Sequence, residues 1–250
     1  MSIEKLLNRA INFSNFNNLI HVGAHEGQEI SLYQHYNLKN IYLVEPLPEC
    51  VEILKKKIIG NPNITLLDFA LGSQNEFMEI YIADGNYSAS TSLLKPRKSK
   101  ITFSRTEKIE VKKFSSLGIS NVDIAVIDTQ GFEIEVLRGF EELIYDLNFA
   151  IVEFANYEGY INQPTYRHLN KFMMSNGFYV IDQIKIINKP YPTINGGSFG
   201  DALYINKRLL NSKQIIYGVV KYFIRNNIIY DFYYYSKKRI IQHLKKLLGL

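Results

Sequence analysis

The stretch Leu19–Pro46, LIHVGAHEGQEISLYQHYNLKNIYLVEP, constrains the fold of this chain more than any other. An apolar strand (Leu19, Ile20, Val22) runs into a small-residue turn (Gly23, Ala24, Gly27). A short helix, a second apolar strand over Ile41–Val44 and a carboxylate, Glu45, follow. That order is the front half of a nucleotide-binding βαβ unit: glycines let the backbone approach a ligand, and an acid ending the second strand can hold a ribose diol. The site is expected here.

The rest of the pattern extends this unit into a doubly wound α/β domain. Pro48–Ile59 reads as a helix stopped by Asn61-Pro62-Asn63, and Ile64–Phe69 as a third strand before Ala70-Leu71-Gly72. Phe77–Ala83 and Lys108–Phe114 are β-rich, with a polar surface loop, Asp84–Lys100, between them. Val122–Asp128 is a near-continuous apolar strand ending in an acid, and Thr129-Gln130-Gly131 turns it into a helix expected over Phe132–Tyr145. A buried strand (Phe149–Phe154), a helix (Pro164–Ser175) and two late strands (Phe178–Ile184, Ala202–Ile205) complete the domain. Buried-looking strands alternating with helices predict a mostly parallel seven-stranded sheet covered on both faces, its last strand antiparallel in an edge hairpin. The domain is expected over 1–206.

Residues 207–250 differ in character. Residues 206–250 hold ten Lys/Arg against one acid, Asp231, so this segment carries +9 and leaves residues 1–205 at −4 within the formal total of +5. A mildly acidic body argues against a nucleic-acid partner. In Tyr235–Leu248 an apolar stripe (Ile240, Ile241, Leu244, Leu247, Leu248) lies opposite lysines, giving a basic amphipathic helical extension. Two uses follow: peripheral contact with an anionic membrane surface, or self-association and packing on the domain. The N-terminus, MSIEKLLNRAINF, has no long apolar run and reads as an amphipathic helix, neither a signal peptide nor a spanning segment. A single cysteine, Cys50, excludes an internal disulfide framework and suits a reducing compartment. A cytoplasmic location is expected, peripheral at the inner membrane face if the tail binds lipid.

In an open α/β sheet, ligands sit beyond the carboxyl ends of the strands. Those ends carry His21–Gly27, Glu45-Pro46, Asp68–Gly72, Asp128–Gly131 and Glu153–Tyr157. An acid at one strand end serves equally as a turn former or helix cap, but here acids recur on one rim. The glycine pattern Gly23-x-x-x-Gly27 lacks the middle glycine of the dinucleotide fingerprint, so a ligand without phosphates fits better. S-adenosylmethionine is such a ligand. His21 and His25 stand four apart, but a strand and a glycine turn separate them rather than a helix, so no metal site is expected. A core or turn role suits His21, whereas His25, in the loop, is a candidate general base or a loop contact. The polar run Asn86–Ser92 and Asn156-Tyr157-Glu158 are candidates to line an acceptor cleft.

The segments His21–Gln28, Val44-Glu45-Pro46, Ala70-Leu71-Gly72 and Ile127–Gly139, the last reading D-x-x-G-x-E-x-x-V-L-x-G from Asp128, together resemble the FkbM-type methyltransferases. The resemblance covers roughly Leu19 to Asn206. It implies a class I, Rossmann-like, S-adenosylmethionine-dependent O-methyltransferase acting on a hydroxyl of a sugar, glycan or glycosylated lipid-linked precursor, in polysaccharide biosynthesis or a related process. It further implies that Gly23, Ala24 and Gly27 line the methionine half of the cofactor and that Glu45, with Pro46, binds the ribose. Phe69 and Ala70 would flank adenine, and Asp68 would reach its amino group. Asp128 would stand beside the sulfonium and the acceptor, with Glu133 beginning the helix beneath it. His21 occupies a position where the family usually has Asp, which ordinarily helps hold the cofactor's ammonium; His25 stands where Asn is frequent and Gln130 where Glu is. Asp128 and His25 are the candidate bases, with Glu153 or Asp201 behind them. The competing readings are a nicotinamide-dependent oxidoreductase, disfavoured by the missing glycine, and a non-catalytic binding or scaffold subunit that keeps the fold.

Overall fold

The computed structural model describes residues 2–97, 101–187 and 198–211. In chain order they form α1 (Ser2–Ile11), β1 (Asn18–Val22), α2 (Ile30–His35), β2 (Asn40–Val44), α3 (Pro48–Lys57), β3 (Ile64–Leu67), β4 (Ala70–Leu71), β5 (Glu76–Ile82) and β6 (Arg105–Lys112). After them come β7 (Ile124–Ile127), α4 (Glu133–Arg138), β8 (Phe149–Ala155), α5 (Tyr166–Ser175), β9 (Phe178–Ile187) and β10 (Ser198–Asn206). The main sheet has seven strands in the order β3-β2-β1-β7-β8-β10-β9. All neighbours pair in parallel except β10, which is antiparallel to both β8 and β9. The expected doubly wound sheet with its antiparallel last strand is borne out. The tail predicted over 207–250 lies outside the described residues from 212 onward.

Burial explains the strand composition. In β1, Leu19 packs with α1, α2 and the undersides of β2 and β7, while Ile20 and Val22 face α4 and α5 across the sheet. Ile124–Ile127 are buried at every position, so period-2 alternation is absent where both faces are covered. α1 buries Ile3, Leu6, Leu7 and Ala10, the amphipathic stripe its sequence shows.

Three local outcomes differ from the sequence reading. The Phe77–Ala83 and Lys108–Phe114 segments leave the main sheet: β5 and β6 pair antiparallel and, with β4, form a separate three-stranded sheet in the order β4-β6-β5. The helix expected over Phe132–Tyr145 ends at Arg138, and a 3-10 turn, Glu141–Asp146, replaces its second half. Gly139 is still helical at φ −67° and ψ −12°, and the chain leaves the helical region at Glu141, whose φ is 50°; Gly139 lies against the backbone of Gly72, where an added Cβ would stand 2.0 Å from the carbonyl oxygen. The polar loop after β5 contains a 3-10 turn, Gly85–Ser90, which folds inward over the carboxyl ends of the strands.

Candidate active site

The glycine turn after β1 forms one wall of a cleft at the carboxyl edge of the sheet. Gly23 adopts φ 86°, and a Cβ on it would fall 1.8 Å from the Asp128 carbonyl oxygen, so only glycine allows the turn and the β7 loop to touch. The backbone N–H groups of Gly23 and Ala24 both donate to the Val44 carbonyl, at 3.0 and 3.1 Å. Val22, Val44, Leu47, Ala70, Leu71, Ile80 and Leu93 give the cleft an apolar slot, with Glu45 and Pro46 at its side.

Glu45 is buried, and its carboxylate accepts two backbone N–H bonds, from His25 at 2.8 Å and from Leu47 at 2.9 Å. Burial pushes its pKa up to about 7, and the two N–H donors limit that rise. Each oxygen keeps a further lone pair for a hydroxyl donor.

His25 sits in the left-handed region at φ 47°. Its Nδ1 lies 3.1 Å from the Gln28 amide nitrogen and its Nε2 3.1 Å from Ser88 Oγ. With the amide donating to Nδ1, the ring hydrogen sits on Nε2 and points at Ser88. The imidazole thus ties the glycine turn to the 3-10 turn covering the cleft. Further along, the Ser92 hydroxyl donates to the Gln130 carbonyl at 2.8 Å, and the Tyr160 hydroxyl to the Ser90 carbonyl at 2.6 Å.

The opposite wall comes from the loop after β7. Asp128 faces the cleft, and the amide nitrogen of Gln130 donates to Asp128 Oδ1 and to Glu153 Oε2, both at 2.8 Å. Burial raises the pKa of both, and the neighbouring Asp128 charge drives Glu153 higher still. Gln130 at φ 54° and Gly131 at φ 104° aim this amide inward. Beneath them, Glu133 Oε1 accepts from the N–H groups of Gly131 at 2.8 Å and Thr129 at 3.2 Å, fastening the loop to the start of α4. Burial lifts the Glu133 pKa to about 7.

A second cavity of about 450 Å3 opens on the far side of this loop. Asp128, Gln130 and Ala89 line both spaces. Its other walls include Glu153, Phe103, Tyr157, Tyr160 and Phe199.

The structure brings together Gly23, His25, Glu45, Pro46, Ala70 and Asp128, as the sequence suggested. Other expected residues stand elsewhere. His21 is buried beneath the cleft, its Nδ1 3.0 Å from the Tyr33 hydroxyl; desolvation lowers its pKa to about 4, so it is a neutral core histidine. Ala24 is buried, and Gly27 makes room for Ile30 and Leu54, which a Cβ would approach within 2.5 and 2.6 Å. Asp68 is exposed, and Phe69 is buried under the Lys112 ammonium, 4.4 Å from the ring centroid. Neither is among the residues lining the cleft. Asp201, next to Glu153 in register across β8 and β10, is engaged by the Ser2 hydroxyl. Asn156 bonds Ser198, and Glu158 pairs with Arg97, leaving Tyr157 as the member of that triplet on the cavity wall. The sequence set Gln130 on the rim and Ser92 in the polar run, but the bridges from Gln130 to Glu153 and from Ser92 to Gln130, and the contribution of Phe199, depend on residues far along the chain. Among the described residues, no cluster of three or more His, Cys, Asp or Glu is arranged for a metal ion.

A model of the FkbM methyltransferase domain matches residues 21–180. No curated protein matches the chain. A crystal structure of FkbM methyltransferase from Methylobacillus flagellatus KT is similar at 12% identity and a TM-score of 0.48, over 76% of this chain and 43% of that one. This chain therefore spans less than half the length of that protein. Magnesium protoporphyrin IX methyltransferase from Synechocystis PCC 6803, with bound SAM, aligns at 13% identity and TM-score 0.49, over 82% of this chain and 76% of that one. TrmK from M. capricolum, in complex with S-adenosyl-homocysteine, aligns at 11% identity and TM-score 0.47, over 81% and 67%. The family match favours the methyltransferase reading over the nicotinamide oxidoreductase. By the match over residues 21–180, this chain belongs to the FkbM methyltransferase family.

Proposed function

We propose that this chain transfers a methyl group from S-adenosylmethionine to a hydroxyl of a saccharide, free or lipid-linked. The observation that carries the reading is the position of Asp128 and Gln130 between two adjoining cavities, one with an apolar slot and a ribose-type acid, the other aromatic and polar. A donor and an acceptor held one on each side would meet at Asp128. The first cavity suits S-adenosylmethionine: Glu45 offers lone pairs to the ribose diol, Ala70, Leu71 and Ile80 offer an apolar surface to adenine, and Gly23 leaves backbone room at the methionine end. When bound, S-adenosylmethionine supplies a methyl group activated on a positive sulfonium.

Asp128 is our candidate base. A sugar hydroxyl is not acidic at neutral pH and must lose its proton as its oxygen attacks. Of the two carboxyls, Glu153 is driven up the further by the neighbouring Asp128 charge, which makes Asp128 the member suited to accept the hydroxyl proton. Gln130 fixes the separation of the two carboxyls. His25 holds the covering turn closed, which excludes water and keeps the reactants in line. No helix among the described residues is long and apolar enough to cross a membrane.

Calorimetric titration with S-adenosylmethionine, S-adenosylhomocysteine and NAD, followed by label transfer to a panel of sugars, RNA and small aromatic acceptors, tests the reading. Binding of both sulfur ligands with methylation of a sugar is expected. NAD binding alone, or transfer only to RNA or an aromatic acceptor, defeats it.

A further inference from the structure

The second cavity has a chemistry that narrows the acceptor beyond its being a saccharide. It is lined by two carboxyl groups, Asp128 and Glu153, each 2.8 Å from the Gln130 amide nitrogen that bridges them. Among the described residues lining it there is no lysine, arginine or histidine. Arg97, whose backbone N–H donates to the Gly159 carbonyl at the rim, is turned to Glu158 by its side chain. The walls are aromatic: the rings of Phe103 and Tyr160 meet edge to face, with centroids 6.4 Å apart, and Tyr157 and Phe199 complete them. Aromatic faces carry negative quadrupole charge and attract the weakly positive C–H groups of a pyranose. A phosphate or carboxylate would have to shed its water beside carboxyl groups, with no cation among the described lining residues to receive it.

We propose that this cavity receives a pyranose ring free of anionic groups and rejects its phosphorylated or uronic counterpart. The inference rests on the saccharide reading above and adds the charge rule to it. Asp128 would then act twice: on the hydroxyl that loses its proton, and against any anion that enters. The flanking rings give affinity to the neutral ring, and the carboxyl pair sets the discrimination.

The test uses the full chain saturated with S-adenosylhomocysteine, and ligand-detected NMR titration with methyl glucoside, mannoside and galactoside, their 6-phosphates and the matching uronates. At least one neutral glycoside should bind, with its anionic counterparts weaker by about tenfold or more. Raising the salt concentration should narrow that gap in the wild-type protein. The double variant Asp128→Asn/Glu153→Gln, which removes the charge and keeps the shape, should close it while the neutral sugar still binds. Phosphates or uronates binding as tightly as the neutral sugars would overturn the charge rule and leave the saccharide reading standing. If no sugar of either kind binds a protein that still takes S-adenosylhomocysteine, the saccharide reading falls and this inference with it.

Discussion

The backbone N–H of His25 donates to Oε2 of Glu45 at 2.8 Å, so the glycine turn after the first strand is held by the acid that ends the second. Removing the carboxylate loosens the turn as well as taking away the ribose acceptor. Glu45→Ala should weaken S-adenosylmethionine binding by ten- to a hundredfold, about 1.4–3 kcal/mol for a lost charged hydrogen bond. Glu45→Gln, which keeps an acceptor oxygen, should lose less. Isothermal titration of both variants checks the order; unchanged affinity in Glu45→Ala removes the ribose role.

The Glu45 pKa of about 7 gives that site a pH signature. The ionised form accepts both ribose hydroxyls, whereas the protonated form gives up an acceptor. S-adenosylmethionine affinity should therefore fall as pH drops below about 7 and level off at the weaker affinity of the protonated form. Folding runs the other way: a raised carboxylate pKa contributes stability below the unfolded value near 4.5, and that contribution is lost as pH rises through about 7. Titrations from pH 5.5 to 8 should show the slope in wild type and a flatter curve in Glu45→Gln.

Asp128 and Gln130 separate proton removal from alignment. Asp128→Asn should lower kcat by about a hundredfold or more while S-adenosylmethionine still binds, as for loss of a general base. Gln130→Ala should lower kcat less and shift the acid limb of the kcat profile, because the two carboxyls then titrate without their shared donor. A pH profile on any acceptor that turns over decides this, and unchanged turnover in Asp128→Asn removes it from the chemistry.

His21 sets the acid side of stability. Its pKa is lowered to about 4 by burial, so the neutral ring stabilises the fold above the unfolded value near 6.5, and that contribution is lost as pH falls through about 4. The size is roughly 3 kcal/mol at 1.36 kcal/mol per unit. The paired variant His21→Phe/Tyr33→Phe removes both partners of the 3.0 Å bond and should show a smaller drop in Tm between pH 7 and pH 4 than wild type. An unchanged drop assigns the acid limb to other groups.

At Gly139 the prediction is steric. An alanine there would place its Cβ 2.0 Å from the Gly72 carbonyl oxygen, so Gly139→Ala should destabilise by about 2–4 kcal/mol, the range for overpacking plus backbone displacement. Chemical denaturation measures it, and a loss under about 0.5 kcal/mol would mean the two backbones separate freely.

The main sheet was legible because its strands are buried on both faces and read as apolar runs, Ile124–Ile127 most plainly. The glycine turn and Glu45 were legible because local geometry demands their residue types. The separate sheet of β4, β5 and β6 was not, since strand alternation does not name the partner strand. The break was hidden because nothing in the local residue types marks Glu141 for the left-handed conformation, φ 50°, at which the chain leaves the helix. The core role that suited His21 in the sequence has a partner the sequence did not name: Tyr33, supplied by α2, takes its hydrogen bond.

α4 connects the two ends of the cleft. At its start, Glu133 grips the loop that carries Asp128; just past its end, Gly139 abuts Gly72, the residue after Leu71 on the apolar wall. Six helical residues span about 9 Å. This short rod works as a caliper: its length sets how far the adenine wall stands from the reacting carboxylate, so lengthening or shortening the helix by one residue would rescale the cleft without altering any residue that lines it.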